Sequence, residues 1–454
     1  MTDQHRVSPP PPPPPPRLTV EEAVGRGAGI RTIGLVPSFD GLRAVAVLLI
    51  LAWHIEADYA PVAQQRWLKG GYAGVDIFFV LSGFLITSIL IRQREQSEPV
   101  GLGSFYIRRA LRLLPALFAF VIVQAIWASA IGVPASKEFP SILSVIFYYS
   151  NLVHTAALSA PGMGHVWSLQ VEEQFYVLWP VFLVVCLALT RRRAVTAVLT
   201  GGLILGIVAY RWYTMDTSTN IFIATRVYEL AQFRADTLLV GALAAQLWAN
   251  GWLPKRGLSV AAWFAGAFTV WWLAEVGLNQ HWIFLWGYTL LAVMVAVVVL
   301  ALVQTNWPVR RVLSIKPLRI IGMVSYGIYL WHYLVFAMVG NAWPHWSAWW
   351  QAIVALTLTA GVTTASWFLV ERPFLRLKDR LGTSPRAEPI ESTASNSASA
   401  SASASASTVV ASSRSRPAAH RPEVATRLAA TRPPQGDEVD PLVAALFEDP
   451  PDPG

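Results

Sequence analysis

Residues 39–55 read FDGLRAVAVLLILAWHI, and between Leu42 and Ile55 every side chain is apolar except Arg43 and His54. Such a run is the material of a helix that crosses a bilayer, which takes about 20 residues of this kind. The two exceptions lie eleven positions apart. That is close to three whole turns and about 16 Å along the axis, so both side chains leave the same face. A charge at the bilayer centre costs about 2.5–3.5 kcal/mol on insertion scales, so that face belongs to a bundle interior or a wet cavity. Taken singly, Arg43 also suits an interface anchor whose charged end snorkels to water, and His54 a hydrogen-bonded interior histidine.

The rest of the chain has the same character. Of its 454 residues 54% are hydrophobic and 14% charged, where a soluble domain is charged at about a quarter of its positions. The net charge of +8 comes from positive residues that punctuate apolar segments. They form no patch interleaved with exposed aromatics, so the charge points to membrane orientation and away from nucleic acid. The single cysteine, Cys186, sits in an apolar run, which excludes an intramolecular disulfide framework and a cysteine zinc site. No His/Asp/Glu group shows metal-ligand spacing either. The chain opens on polar sequence, with prolines from Pro9 to Pro16 and then Arg17, Arg26 and Arg31 ahead of the first apolar run. No cleavable signal peptide is visible, and that run is expected to stay as an anchor.

Bilayer-length segments recur about ten times, near 39–57, 74–91, 111–132, 170–189, 194–210, 236–250, 258–277, 282–304, 321–340 and 347–370. The sixth is short. With a cytoplasmic N-terminus, the inner segments carry about 21 Lys and Arg against about 6 outside, the outer six including Arg211 and Arg234. The expected fold is therefore all-α and polytopic, with ten transmembrane helices in residues 38–375 and both termini cytoplasmic. A Pro-rich N-terminus (1–37) and a tail (376–454) containing SNSASASASASAS at 395–407 are expected to be disordered, because such composition buries too little apolar surface to fold.

The polar residues inside this frame form candidate constellations. FYIRRALRLLPAL opens the third segment with Arg109 and Arg112 three apart on one face. They read as a positive-inside cluster, as a guanidinium clamp for phosphates, or as both. GHVWSLQVEEQFYVLWP brings Glu172 and Glu173 into the fourth segment just after His165. Adjacent helical residues point about 100° apart, so one glutamate is expected to face the interior and the other the membrane surface. One of them is equally explained as a favourable charge at a helix N-terminus. Asp76 lies in GVDIFFVLSGFLI. The expectation is that His54, Asp76, His165 and one glutamate converge near the outer surface, since a histidine beside a carboxylate is what general-base chemistry requires. SYGIYLWHYLV places His332 at mid-membrane, with Ser325, Tyr326 and Tyr329 nearby. These either line a polar channel or bond neighbouring helices, and an aromatic-rich helix with one histidine is more often packing than a site.

Taken together and in order, FDGLRAVAVLLILAWH, GVDIFFVLSGFLI, FYIRRALRLLPAL, WSLQVEEQFYVLWP and SYGIYLWHYLV resemble the membrane acyltransferase-3 family of bacterial O-acyltransferases across residues 38 to 375. The resemblance implies a multi-pass plasma-membrane enzyme that moves an acyl group, often acetyl, from cytoplasmic acyl-CoA to an extracytoplasmic glycan or glycolipid. With such a donor, Arg109 and Arg112, helped by Arg43, are expected to hold the phosphates and His54 to act as base, oriented by a carboxylate among Glu172, Glu173 and Asp76. Some members append an extracytoplasmic SGNH domain; here the low-complexity tail stands in that place, and a stand-alone member is expected. The competing reading is a transporter or flippase of a lipid-linked sugar that uses the buried histidines and acids as a proton relay. Against it stand the lack of evident inverted repeats and of paired Gly/Pro-broken helices. The outer segments 133–166 and 211–235 would shape the acceptor pocket, where Trp212, Tyr213, Arg226 and Tyr228 suit a sugar or a membrane interface equally.

Overall fold

The computed structural model describes residues 26–27, 30–31, 33–34, 36–59, 67–95, 102–153, 160–190, 192–216 and 227–382. Most of the N-terminus and of the tail expected to be disordered lies outside these residues, as does Arg226; of what is described, 26–27 and 30–31 pair as strands and 376–382 is helical. Apart from a two-residue antiparallel pair, Arg26–Gly27 with Ile30–Arg31, the described chain is helical. The longer helices are α1 (Pro37–Tyr59), α2 (Ala73–Glu95), α3 (Leu102–Ala130) and α4 (Ala135–Ile146). Then come α5 (Trp167–Thr190), α6 (Arg193–Asp216), α7 (Ala231–Ala249) and α8 (Leu258–Glu275). The last five are α9 (Tyr288–Gln304), α10 (Lys316–Met323), α11 (Ser325–Ala342), α12 (Ala348–Ser366) and α13 (Arg372–Gly382).

Among the described residues eight helices are long and apolar enough to cross a membrane, or nine when α10 and α11, bent by 66° at their junction, count as one span. The protein is an all-α multi-pass membrane protein. The difference from ten is α7, the short sixth segment of the sequence. It is a full helix of 19 residues, but Arg234, Asp236 and Gln246 lower its apolarity. It tolerates them because it sits at the centre. Arg234 and Asp236 are wholly buried, and α7 packs against α2, α6 and α9. The helix α2 is central as well, with 72% of its apolar stretch inside the protein, whereas α8 has 17% and faces outward.

Small residues set the closest crossing. A Cβ added at Gly83 of α2 would fall 1.9 Å from the Leu238 carbonyl oxygen, and one at Gly241 of α7 would fall 2.1 Å from that of Val80. The two backbones therefore touch reciprocally, as small residues permit between membrane helices. The bent pair is anchored in the same way. A Cβ at Gly322, near the end of α10, would meet the Asp40 carbonyl at 1.8 Å. This seats the break against the start of α1 and fixes where Ser325 and the rest of α11 enter the bundle.

Gly83→Leu and Gly241→Leu are expected to abolish recovery of monodisperse protein after detergent extraction, since overpacking costs about 1–3 kcal/mol even where side chains can yield, and here the obstacle is backbone. Gly202→Leu, facing open space on α6, is expected to elute like the wild type by size-exclusion chromatography.

Candidate active site

Two neighbouring cavities bring the candidate residues together. The first, of about 220 Å³, is lined by Arg43 from α1, Ser82 from α2, Arg109 and Arg112 from α3, Ser168, Glu172 and Tyr176 from α5, and Ser325, Tyr326 and Tyr329 from α11. Arg109 reaches the interior because it lies seven residues into α3, about 10 Å above the helix start. Its Nε donates to Glu173 Oε2 at 2.9 Å, and Nη2 donates to Oε1 of the same carboxylate. Its guanidinium also lies over the Tyr176 ring, 3.2 Å from the centroid. Glu172 accepts hydrogen bonds from the hydroxyls of Ser82 and Tyr176. Both glutamates thus bond inside the protein, and the expectation that one faces the membrane surface is corrected. The interior cleft here is wide enough for α2 to take Glu172 and α3 to take Glu173.

The second cavity, of about 320 Å³, is lined by Trp53, His54, Tyr72, His165, Trp167, Tyr228, Glu229, Tyr329 and Tyr333, among others. His54 and His165 line it, and His332 packs behind both of them. The ring centroids of His54 and His332 are 5.0 Å apart, and those of His165 and His332 are 5.1 Å apart. The backbone assigns their protons. His332 Nδ1 lies 2.6 Å from the Tyr329 carbonyl oxygen, which can only accept, so that nitrogen carries the proton and Nε2 the lone pair. His54 Nδ1 lies 2.9 Å from the Ile50 carbonyl oxygen and 3.4 Å from His332 Nε2. It too is therefore protonated, and it is shared between two acceptors. In that tautomer His54 Nε2 bears the lone pair, the form a general base requires. His165 donates from Nε2 to the Leu330 carbonyl at 3.2 Å. Burial pushes the phenol of Tyr72, in the turn before α2, above its ordinary range, and the nearby Asp76 adds to this, so it stays a neutral hydroxyl. Among the described residues no three of His, Cys, Asp and Glu are arranged to hold a metal ion.

Val75 and Tyr329 belong to the walls of both cavities. The Tyr329 hydroxyl donates to the His165 carbonyl at 2.7 Å and meets the Ser168 hydroxyl. Tyr326 donates to the Leu113 carbonyl at 3.0 Å, and Ser325 is fully buried.

The structure brings His54, His165 and His332 together, and Arg43, Arg109 and Arg112 together. It does not group the three candidate carboxylates with His54. Glu172 and Glu173 sit in the arginine cavity. Asp76 accepts from Arg234 Nη2 at 2.7 Å, both side chains having no exposure. Arg234 in turn lies over the Tyr288 ring, 3.7 Å from its centroid. Alongside, Arg211 forks onto Asp236 at 3.1 and 3.2 Å, and Thr289 hydrogen-bonds the same carboxylate. Arg211 and Arg234 are thus interior residues of α6 and α7, not outer-loop charges, because each has a buried aspartate to pair with. The acid in the histidine cavity is Glu229, which sequence reasoning missed. It stands beside Tyr228 in VYELAQ, a segment considered only for its aromatics and arginine. Ser82 and Tyr176 were missed too, though both lie within the quoted motifs.

The family profile described as "Acyltransferase domain" matches residues 36–372, and the chain belongs to that acyltransferase-3 family. It is 32% identical over 359 residues to the peptidoglycan O-acetyltransferase OatA of Listeria monocytogenes, covering 74% of this chain and 55% of that protein. It is 29% identical over 365 residues to the putative peptidoglycan O-acetyltransferase YrhL of Bacillus subtilis, covering 74% and 54%. A putative O-acetyltransferase of Staphylococcus aureus is 29% identical over 357 residues, covering 75% and 57%. The matched region thus spans about half the length of these curated relatives. No solved structure matches the chain.

Asp76→Ala is expected to lower stability by about 3–5 kcal/mol by stranding the buried Arg234 charge. The double variant Asp76→Ala/Arg234→Leu is expected to recover part of that loss. Thermal unfolding of the single and double variants in one detergent checks both.

Proposed function

We propose that this protein is a membrane O-acyltransferase that takes an acyl group, in the first instance acetyl, from cytoplasmic acyl-CoA. It delivers that group to a hydroxyl of an extracytoplasmic glycan, from a bacterial plasma membrane in which both termini are cytoplasmic. The observation that supports this best is the shared wall: a cavity with three arginines and a cavity with a histidine whose Nδ1 faces a backbone carbonyl meet at Val75 and Tyr329. In this reading Arg43 and Arg112, with the part of Arg109 not engaged by Glu173, hold the phosphates of the donor. The pantetheine arm passes Tyr329 and presents the thioester to His54.

The acceptor lies in the histidine cavity. Trp53, Trp167 and Tyr228 offer the flat faces on which a sugar ring packs, and Glu229 accepts hydrogen bonds from its hydroxyls. His54 Nε2 takes the proton of the attacking hydroxyl while its oxygen bonds to the thioester carbonyl carbon. The Ile50 carbonyl and the His332 Nε2 lone pair face the Nδ1–H and stabilise the imidazolium, the task first expected of a carboxylate. As the tetrahedral intermediate collapses, the C–S bond breaks. The thiolate recovers the proton from His54, and CoA leaves as the free thiol. The relatives' names point to peptidoglycan as the glycan, which makes it the first acceptor to try.

Radiolabelled acetyl-CoA supplied to inside-out vesicles containing wild-type protein is expected to label an envelope glycan. His54→Ala is expected to lower labelling by about 10²–10⁴, and His332→Ala by about tenfold, the size of one lost hydrogen bond. Near-normal labelling by a folded His54→Ala protein would remove this mechanism.

A further inference from the structure

A third cavity, of about 300 Å³, lies away from the site just described, where the end of α2, the end of α5, the start of α6 and the end of α7 come together. By connectivity this is the end of the bundle at which α3 begins. Arg94 and Arg193 stand on its wall, with Leu183 and Leu187 of α5 below them. Arg94 donates through Nη2 to the Leu187 carbonyl at 2.9 Å. This fixes the guanidinium in place and leaves its other N–H groups outside that bond.

The floor of the cavity is polar where a lipid-facing crevice would be apolar. Thr196 and Gln246 both line it, with exposures of 1% and 3%. Gln246 Nε2 donates to the Thr200 hydroxyl at 2.9 Å. Gln246 Oε1 and Thr196 Oγ1 have no hydrogen-bond partner within the protein. Buried polar atoms are almost always satisfied, and those that are not call for a ligand or an ordered water. Basic groups at the rim and unpaired oxygens within call for a group that is anionic at one end and hydroxylated beside it.

We infer that this cavity binds a phosphate ester carrying neighbouring hydroxyls, supplied as the headgroup of an anionic phospholipid of the phosphatidylglycerol type. The phosphate pairs with Arg94 and Arg193 at the rim, and the hydroxyls reach Gln246 and Thr196. The acyl chains follow the outer faces of α5 and α6, where Leu189 is 80% and Val198 72% exposed. A basic pocket between membrane helices at the positively flanked end is the place where such headgroups are held. None of these residues lines either cavity of the proposed reaction, so the inference stands whether or not that reaction is correct.

The test uses the full-length protein in nanodiscs and in detergent. Native mass spectrometry of protein extracted from mixed phosphatidylglycerol and phosphatidylcholine nanodiscs is expected to retain phosphatidylglycerol preferentially. Arg94→Gln and, separately, Thr196→Val/Gln246→Leu are each expected to weaken that retention roughly tenfold, the scale of one charge-assisted or buried hydrogen bond. The second variant adds no charge and keeps volume, so the test survives if the first fails to fold. Thermal unfolding in detergent with glycerol 3-phosphate, inorganic phosphate or phosphatidylglycerol separates the sources. A rise with the lipid alone supports the headgroup assignment, and an equal rise with either small phosphate overturns the lipid as source. Equal retention of both lipids, or retention unchanged in both variants, overturns the site.

Discussion

Asp76 on α2 and Arg234 on α7 are both without solvent exposure, and each removes the charge that would otherwise strand the other. In hydrocarbon no water takes over when such a pair parts, so every buried charge needs an internal partner. The pair also sets the geometry around it. The guanidinium rests on Tyr288, whose ring lies 6.4 Å from Tyr72 and 6.2 Å from Tyr228. Tyr72 and Tyr228 are the aromatic wall of the histidine cavity. One residue pair further out, Arg211, Asp236 and Thr289 bind α6, α7 and α9 into the same block. The wall against which an acceptor would pack is thus held by charges that never meet it.

The arginine cavity and the histidine cavity differ in how they handle polarity. In the arginine cavity charge is balanced by charge, with Glu173 on Arg109 and Glu172 held by two hydroxyls. In the histidine cavity it is balanced by dipoles. The Ile50, Tyr329 and Leu330 carbonyls each hold one ring nitrogen. Carbonyls cannot donate, so they fix a tautomer without adding a formal charge to the cavity. A histidine held this way keeps its orientation through a cycle of gaining and losing a proton.

Much of this was legible in the sequence, for identifiable reasons. Apolar run length located the spans, because hydropathy responds directly to the solvent a helix faces. The 3.6-residue period put Arg43 and His54 on one face, and both line interior cavities. What stayed hidden depended on depth and on partners from distant elements. Glu173 lies at the far end from Arg109 in a loop diagram, yet the two bond, because Arg109 stands seven residues into α3 and so inside the bundle. Arg234 was placed outside because the apolar run of α7 starts only after it, and no local pattern announces that Asp76, far away in the chain, will meet it. His332 reads as packing until His54 and His165 are set beside it in space.

The reciprocal glycine contact of α2 and α7 limits how the interior can change shape. With the Leu238 and Val80 carbonyls lodged where side chains would stand, the two helices can neither slide nor swing without breaking backbone contact along the seam. They behave as a fixed keel. The opposite bank is α11, which meets α10 at the single residue Val324 with a bend of 66°. There Tyr329 and Leu330 are bonded to the segment that carries His165 and Ser168, so this wall is joined through side chains where the other is joined backbone to backbone.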